Sequence, residues 1–301
     1  MLAVLLILGP GCATVEPEPP GENTVLNVVT TIYPLADIAG KLGGDQVSVT
    51  YLLPPGASPH TFEPTVEQAR LVSEADLFIF IGAGLDDWAV KLAESAGPGH
   101  NLLDLSDHVA LLQADPHVHE HEEEHHDHGP NDPHFWLDPI IVRDAITPAI
   151  TGSLLLLTDD HEAYFSELAE SYHQELSLLD EEIERKLASV QNRRFIAFHS
   201  AWQYFARRYN LEELAVIALF PGQEPSAGWM AELVELVEEY SVTAIFSETQ
   251  FPPALAQRIA EESGLNLLEL DPLGGPDIES RAGYTDLMRH NLNIFLEGFR
   301  E

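Results

Sequence analysis

The 301-residue chain has a single cysteine, so it can form no internal disulfide, zinc finger or iron-sulfur cluster. Cationic side chains are also scarce. Lys and Arg together number 14 against 50 Asp and Glu, a formal net charge of −36 with His neutral. Nucleic-acid binding needs a cationic surface that displaces counterions from phosphates, and adhesion to anionic lipid headgroups needs the same. The composition opposes both and suits a small cationic partner better. No segment beyond the first few residues approaches the roughly 18 uninterrupted apolar residues of a membrane-spanning helix. Met1 to Leu8 is uniformly apolar, too short to cross a bilayer but suited to the hydrophobic stretch of an export signal.

The lone cysteine, Cys12, follows Gly9-Pro10-Gly11 and precedes a Pro- and Glu-rich run from Thr14 to Gly21. Small residues just before a single Cys resemble a lipoprotein processing site. Residues 1–21 are therefore expected to be leader and tether, with Cys12 lipidated and the protein exported. The expected location is the periplasm or the outer face of the cytoplasmic membrane. At roughly 150 residues per domain the length gives about two domains, and 45% hydrophobic residues is enough for each to have a core.

From Val25 onward, short β-branched and aromatic runs alternate with helical spacing. Val25 to Thr30, Val47 to Leu53, Leu77 to Ile81, Phe195 to Phe198, Val216 to Phe220 and Ala244 to Phe246 read as buried strands. Pro64 to Ala75 and Ala227 to Tyr240 carry apolar residues at helical intervals. This alternation predicts an α/β fold with mainly parallel sheets flanked by helices. Two strand groups are separated by one long pattern: Phe165, Leu168, Tyr172, Leu176, Leu179, Ile183, Leu187 and Val190 step by three or four residues. Thr158-Asp159-Asp160 supplies an N-cap, and about 30 residues at 1.5 Å each would span about 45 Å. The expected organisation is an N-terminal lobe over 22–157, a rigid linking helix over 158–190 and a C-terminal lobe over 191–301.

Nine of the 14 histidines fall into two sets. His117, His119, His121, His125, His126 and His128 lie in the acidic segment 115–128, which lacks the apolar residues to bury a face and reads as a loop. His121-Glu122-Glu123-Glu124-His125 formally fits the zinc-protease pattern HExxH, but that chemistry needs a buried helix beside a substrate cleft. The segment is better read as an accessory collector of divalent ions, imidazole being a common borderline-soft ligand. The second set is His60, His134 and His199, each placed where a strand or apolar run gives way to a loop. Glu248 and Asp271 follow further runs in the same way. Open α/β sheets bind ligands beyond the carboxyl ends of their strands, where such residues can converge. Three neutral imidazoles and one carboxylate would make a closed tetrahedral metal site. Spacing alone leaves each histidine open to a structural, hydrogen-bonded role.

Pro59-His60-Thr61-Phe62-Glu63-Pro64-Thr65, Gly82-Ala83-Gly84-Leu85-Asp86-Asp87-Trp88 and Asp132-Pro133-His134-Phe135-Trp136-Leu137-Asp138-Pro139 occur in that order. Phe198-His199-Ser200-Ala201-Trp202, Glu224-Pro225-Ser226, Ile245-Phe246-Ser247-Glu248 and Asp271-Pro272-Leu273-Gly274 follow. Together they resemble the zinc/manganese solute-binding proteins of bacterial ABC importers, from about Val25 to the C-terminus. The resemblance implies two α/β lobes joined by a backbone helix with the metal between them. It implies His60, His134, His199 and Asp271 as ligands, with Glu248 behind them or as an alternative oxygen donor, and it assigns Glu224 no role. It also implies that Zn²⁺ is captured and delivered to a membrane permease with a cytoplasmic ATPase, without enzymatic chemistry or an organic cofactor, by a monomer.

Three imidazoles favour Zn²⁺, whereas Mn²⁺ prefers carboxylate oxygens and remains the alternative cargo. Two other classes compete. A metallohydrolase would use the same residues around an open coordination position with Glu248 as base, and an adhesin would keep the ion as a structural element.

Overall fold

A computed structural model describes residues 25–97, 99–113, 131–158, 160–217, 226–251 and 253–300. The first lobe runs through β1 (Leu26–Thr30), α1 (Tyr33–Gly43), β2 (Val47–Tyr51), α2 (Val66–Ser73), β3 (Leu77–Phe80), α3 (Asp87–Ala96) and β4 (Leu102–Asp104). After the short α4 (Pro139–Ile141) come α5 (Thr147–Leu157) and the long α6 (Glu162–Leu187). The second lobe is β5 (Arg194–Ala197), α7 (Gln203–Tyr209), β6 (Glu212–Val216), α8 (Ala227–Tyr240), β7 (Ala244–Glu248), α9 (Pro253–Ser263), β8 (Asn266–Leu270) and α10 (Tyr284–Gly298).

Each lobe holds one four-stranded parallel sheet, in the orders β2-β1-β3-β4 and β6-β5-β7-β8. The two orders are the same pattern. In both, the chain runs outward from the first strand to one side and then crosses back to the other, so the reversal falls between β1 and β3 and between β5 and β7. All four residues of β3 are buried, as expected of a strand covered by helices on both faces.

The linking helix follows its apolar stripe. Phe165, Tyr172, Leu176, Leu179, Ile183 and Leu187 are buried, and they join a cluster that includes Val28, Ile79 and Leu103 of the first sheet and Phe195, Phe246 and Leu270 of the second. Polar bonds follow the same path: Glu175 of α6 pairs with Lys41 of α1 and accepts a hydrogen bond from Thr285 Oγ1 of α10, 2.9 Å away. At 26 residues the helix is about 39 Å long, shorter than its sequence pattern suggested. Thr158 is extended and ends α5, and the N-cap residue of α6 is His161, with no side-chain cap bond. The expected cap at Thr158-Asp159-Asp160 is thus a break between two helices, with Asp159 outside the described residues.

Two edge strands also depart from the sequence reading. The expected strand at Val216 to Phe220 begins earlier, at Glu212, and residues 218–220 lie outside the described residues. β6 is an edge strand whose Glu212 pairs with Arg194 of β5 at 2.8 Å, so its first half is acidic and disguised. β4 is three residues long and likewise at an edge. Pro139–Leu157 has a mean hydropathy of 1.6 and the length to cross a membrane, but Val142, Ile146, Ile150 and Leu154 face the shared core.

Direct contacts tie the lobes together near the sheets' carboxyl ends. Trp136 Nε1 donates to Pro272 O at 2.9 Å, and Tyr284 OH donates to Trp136 O at 2.8 Å. Asp37 accepts from Tyr284 N at 2.8 Å, and Tyr33 OH donates to Ala282 O. Because α6 lies in a core shared by both lobes, Leu179→Ala should destabilise the whole molecule by about 3 kcal/mol, read as a lower urea midpoint in a single transition. Two separated transitions would mean that the lobes fold independently.

Candidate metal centre

The three histidines reach one point from three separate elements. His60 lies in the turns after β2, and this stretch is pinned by α3: Trp88 Nε1 donates to Pro59 O at 2.9 Å while the Trp88 ring meets Phe62 edge-on. His134 precedes the short helical turn Phe135–Leu137. His199 stands two residues beyond β5, where Phe198 N donates to Phe246 O at 2.7 Å and the imidazole rests near the Phe251 ring. The ring centroids are 5.0–5.3 Å apart. One ligand nitrogen from each ring lies within 4.8 Å of the other two, and no other such group occurs among the described residues.

Asp132 fixes His134. Its Oδ1 accepts from the His134 backbone N at 2.9 Å and lies 2.8 Å from His134 Nδ1. That contact occupies Nδ1 and turns Nε2 inward, to 3.3 Å from His60 Nε2. A carboxylate behind a ligating imidazole fixes the tautomer and raises ligand basicity. Burial pushes the Asp132 carboxyl up to about 7, opposed by the His134 amide and the His199 charge. A divalent ion beside His134 would favour the ionised form further. Sequence reading quoted this residue in its motif without giving it a role; the available signal was an acid two positions before a histidine.

Glu248, the last residue of β7, is 5% exposed, and its Oε1 lies 3.4 Å from His199 Nδ1. β5 and β7 are the two strands between which the second sheet reverses, so His199 and Glu248 occupy the place where such sheets bind ligands. His60, His134, His199, Glu248, Pro272 and Leu273 help enclose a cavity of about 20 Å³, room for about one water-sized body.

Asp271 is buried immediately after β8 but is not gathered with the imidazoles. Its Oδ1 accepts from Leu273 N and Gly274 N, each at 2.9 Å, and its Oδ2 pairs with Arg281 Nη1 at 2.7 Å. Both oxygens of the expected carboxylate ligand thus have partners on its own loop, and the carboxylate that lines the cavity is Glu248. Cys12, His117, His119, His121, His125, His126, His128 and Glu224 lie outside the described residues.

Known proteins are similar to this chain over most of its length. The chain is 29% identical over 295 residues to the high-affinity zinc uptake system protein ZnuA of Bacillus subtilis, covering 96% of this chain and 92% of that one. It is 30% identical over 277 residues to the zinc-binding lipoprotein AdcA of Streptococcus pneumoniae, with 89% of this chain covered but 54% of the relative, so it spans about half of that longer protein. The manganese-binding lipoprotein MntA of Halalkalibacterium halodurans is 26% identical over 308 residues, 100% of this chain and 97% of that one. A crystal structure of ZnuA superposes with a TM-score of 0.80 at 29% identity, covering 92% of this chain and all of that one. The family model described as ZnuA, zinc-uptake complex component A, periplasmic, matches residues 28–298. On that match across nearly the whole chain, the protein belongs to the ZnuA family of zinc-uptake components.

Proposed function

We propose that this chain is an extracytoplasmic receptor that captures Zn²⁺ on His60, His134 and His199 and delivers it to an ABC importer, a permease with a cytoplasmic ATPase. The observation that carries this reading is the convergence of three imidazoles, from both lobes, on a cavity of about 20 Å³. Nitrogen-rich, four-coordinate sites suit Zn²⁺, and Glu248 stands where an oxygen donor could complete the set. The cargo is a bare ion, so the protein has no bond to break; it must bind and let go. With one core running through both lobes and α6, release on docking would come from small lobe shifts rather than wide hinge opening.

Size argues against the hydrolase alternative, which needs room for an organic substrate and an attacking water beside the ion. Cys12 fits a lipid anchor, in keeping with the lipoprotein names of the AdcA and MntA relatives. The 115–128 loop fits an accessory gatherer of ions, and the working unit is a monomer.

Metal analysis after loading with limiting mixed Zn²⁺ and Mn²⁺ tests the site directly. Wild type should retain one tight Zn²⁺ and His199→Ala should lose it; a tight ion indifferent to His199 would remove the basis of the assignment. Asp132→Ala, which leaves all three imidazoles in place, should weaken Zn²⁺ binding about 10–100-fold in a competition titration. Protons compete with the ion for imidazole, so affinity must fall with pH. Below about pH 6.5 each ligating imidazole should cost up to about tenfold per pH unit. Equal affinity at pH 5 and pH 7.5 by isothermal titration would exclude a three-imidazole site.

A further inference from the structure

We infer that Tyr204 is a positioning residue that ties His134 to the opposite lobe and thereby sets how slowly the ion leaves; the inference rests on the receptor reading above. Its basis is a hydroxyl inserted into a backbone rung. Leu112 and Asp132 face each other across a short antiparallel contact: Asp132 N donates to Leu112 O at 2.8 Å, and Gln113 bridges to Asn131. In a regular hydrogen-bonded pair Leu112 N would return the bond to Asp132 O. Here it donates to Tyr204 OH at 2.8 Å, and Tyr204 OH donates onward to Asp132 O at 3.0 Å. The phenol thus completes the rung from α7 of the second lobe.

The hydroxyl is fixed in place and in protonation. Tyr204 is 3% exposed, and its ring meets Phe135 edge-on at 6.4 Å between centroids. Burial pushes its phenol up to about 12, so it keeps its proton near neutral pH and can accept and donate at once. It holds Asp132, whose Oδ1 accepts from His134 N at 2.9 Å and lies 2.8 Å from His134 Nδ1. The contacts run in series from α7 through the Tyr204 hydroxyl and Asp132 to the His134 imidazole. His199 lies just before α7 on the same stretch of chain. One segment of the second lobe therefore brings one imidazole to the site and steadies the residue that orients another. Arrival of an ion is governed by diffusion and by the charge of the site, which a neutral hydroxyl does not alter. Departure requires an imidazole to turn away against whatever holds it, so the hydroxyl acts on dissociation.

The test is stopped-flow transfer of Zn²⁺ from the loaded full chain to a chelator, with circular dichroism to monitor folding. Tyr204→Phe keeps the ring and removes only the oxygen. Its dissociation rate should rise about tenfold, the low end for groups that orient a metal ligand from behind, while the association rate stays within about twofold of wild type. Tyr209→Phe is the control for lost stability: that hydroxyl, on the same helix, bonds Asp180 Oδ1 at 3.0 Å, and its loss should leave the rate unchanged. In an Asp132→Ala background Tyr204→Phe should add nothing, because the link to His134 is already cut, whereas a merely structural loosening would persist there. An unchanged dissociation rate in folded Tyr204→Phe, or a tenfold effect that survives in Asp132→Ala, overturns the inference.

Wild type supplies a second measurement, which decides if Tyr204→Phe does not fold. Coupling is reciprocal, so a rung that strengthens ion binding tenfold must itself be strengthened about tenfold by the ion. Zn²⁺ loading should therefore slow hydrogen exchange of the Leu112 amide about tenfold beyond any slowing shared by the Asn266 amide. Asn266 N bonds Thr243 O at the start of β8, the end away from the site. Equal slowing of the two amides overturns the inference. Failure of the receptor reading itself looks different: wild type would hold no tight Zn²⁺, or would hold it independently of His199.

Discussion

Three imidazoles carried on three separate elements can share one small volume only if those elements keep their relative positions, and the burial of α6 supplies that constraint. Its stripe from Phe165 to Leu187 lies in one apolar cluster with residues of both sheets. An ordinary hinge protein separates its domains with a flexible linker and lets ligand binding close them. Here each lobe's core continues into the other's through the helix between them. The distances among His60, His134 and His199 are consequently set by packing density rather than by loop equilibrium. Contacts near the site extend that constraint: Trp136, two residues from His134, donates to Pro272 on the opposite lobe.

The charge balance gives the arginines unusual weight. With a net charge of −36, most carboxylates have no cation to meet and must remain in water, where screening keeps them inexpensive. Buried carboxylates need partners. Asp138 pairs with Arg208, Asp271 with Arg281, and Asp132 is bonded to His134. Glu248 instead faces His199 and the cavity. The buried acids near the centre thus divide into those held by arginine, one that orients an imidazole, and one turned toward the cavity. That division, more than the number of carboxylates nearby, decides how much oxygen the site presents.

Much of this was legible in the sequence, and the failures have physical causes. The parallel α/β class and α6 were visible because buried central strands are nearly uniform in hydrophobicity and a helix shared by two lobes has an uninterrupted stripe. Edge strands were less visible: β6 opens with Glu212-Glu213, and β4 has only three residues. The position of the α6 start was obscured because Thr158-Asp159-Asp160 has the composition of a cap while the backbone there ends the preceding helix. His60 and His199 could be picked out because each comes after a strand-like run, and His134 because it adjoins Phe135-Trp136-Leu137. The role of Asp132 depended on which way a side chain turns, and the state of Asp271 on an arginine ten residues away, which no local pattern encodes.

A receptor that must also release its cargo gains from donors that are held from behind rather than by the ion. Asp132 orients His134 whether or not metal is present, and Asp271 is satisfied by Arg281 and two amides without it. On the proposed reading the imidazoles and Glu248 would exchange partners. This limits the polar groups that must find water when the ion leaves, and unsatisfied buried groups are what would otherwise make an empty site costly. It also explains how a rigid molecule can serve transport. If emptying the site leaves most of its framework bonded, a displacement of one histidine-bearing loop relative to the other lobe would be sufficient to separate the three imidazoles, with no large domain motion.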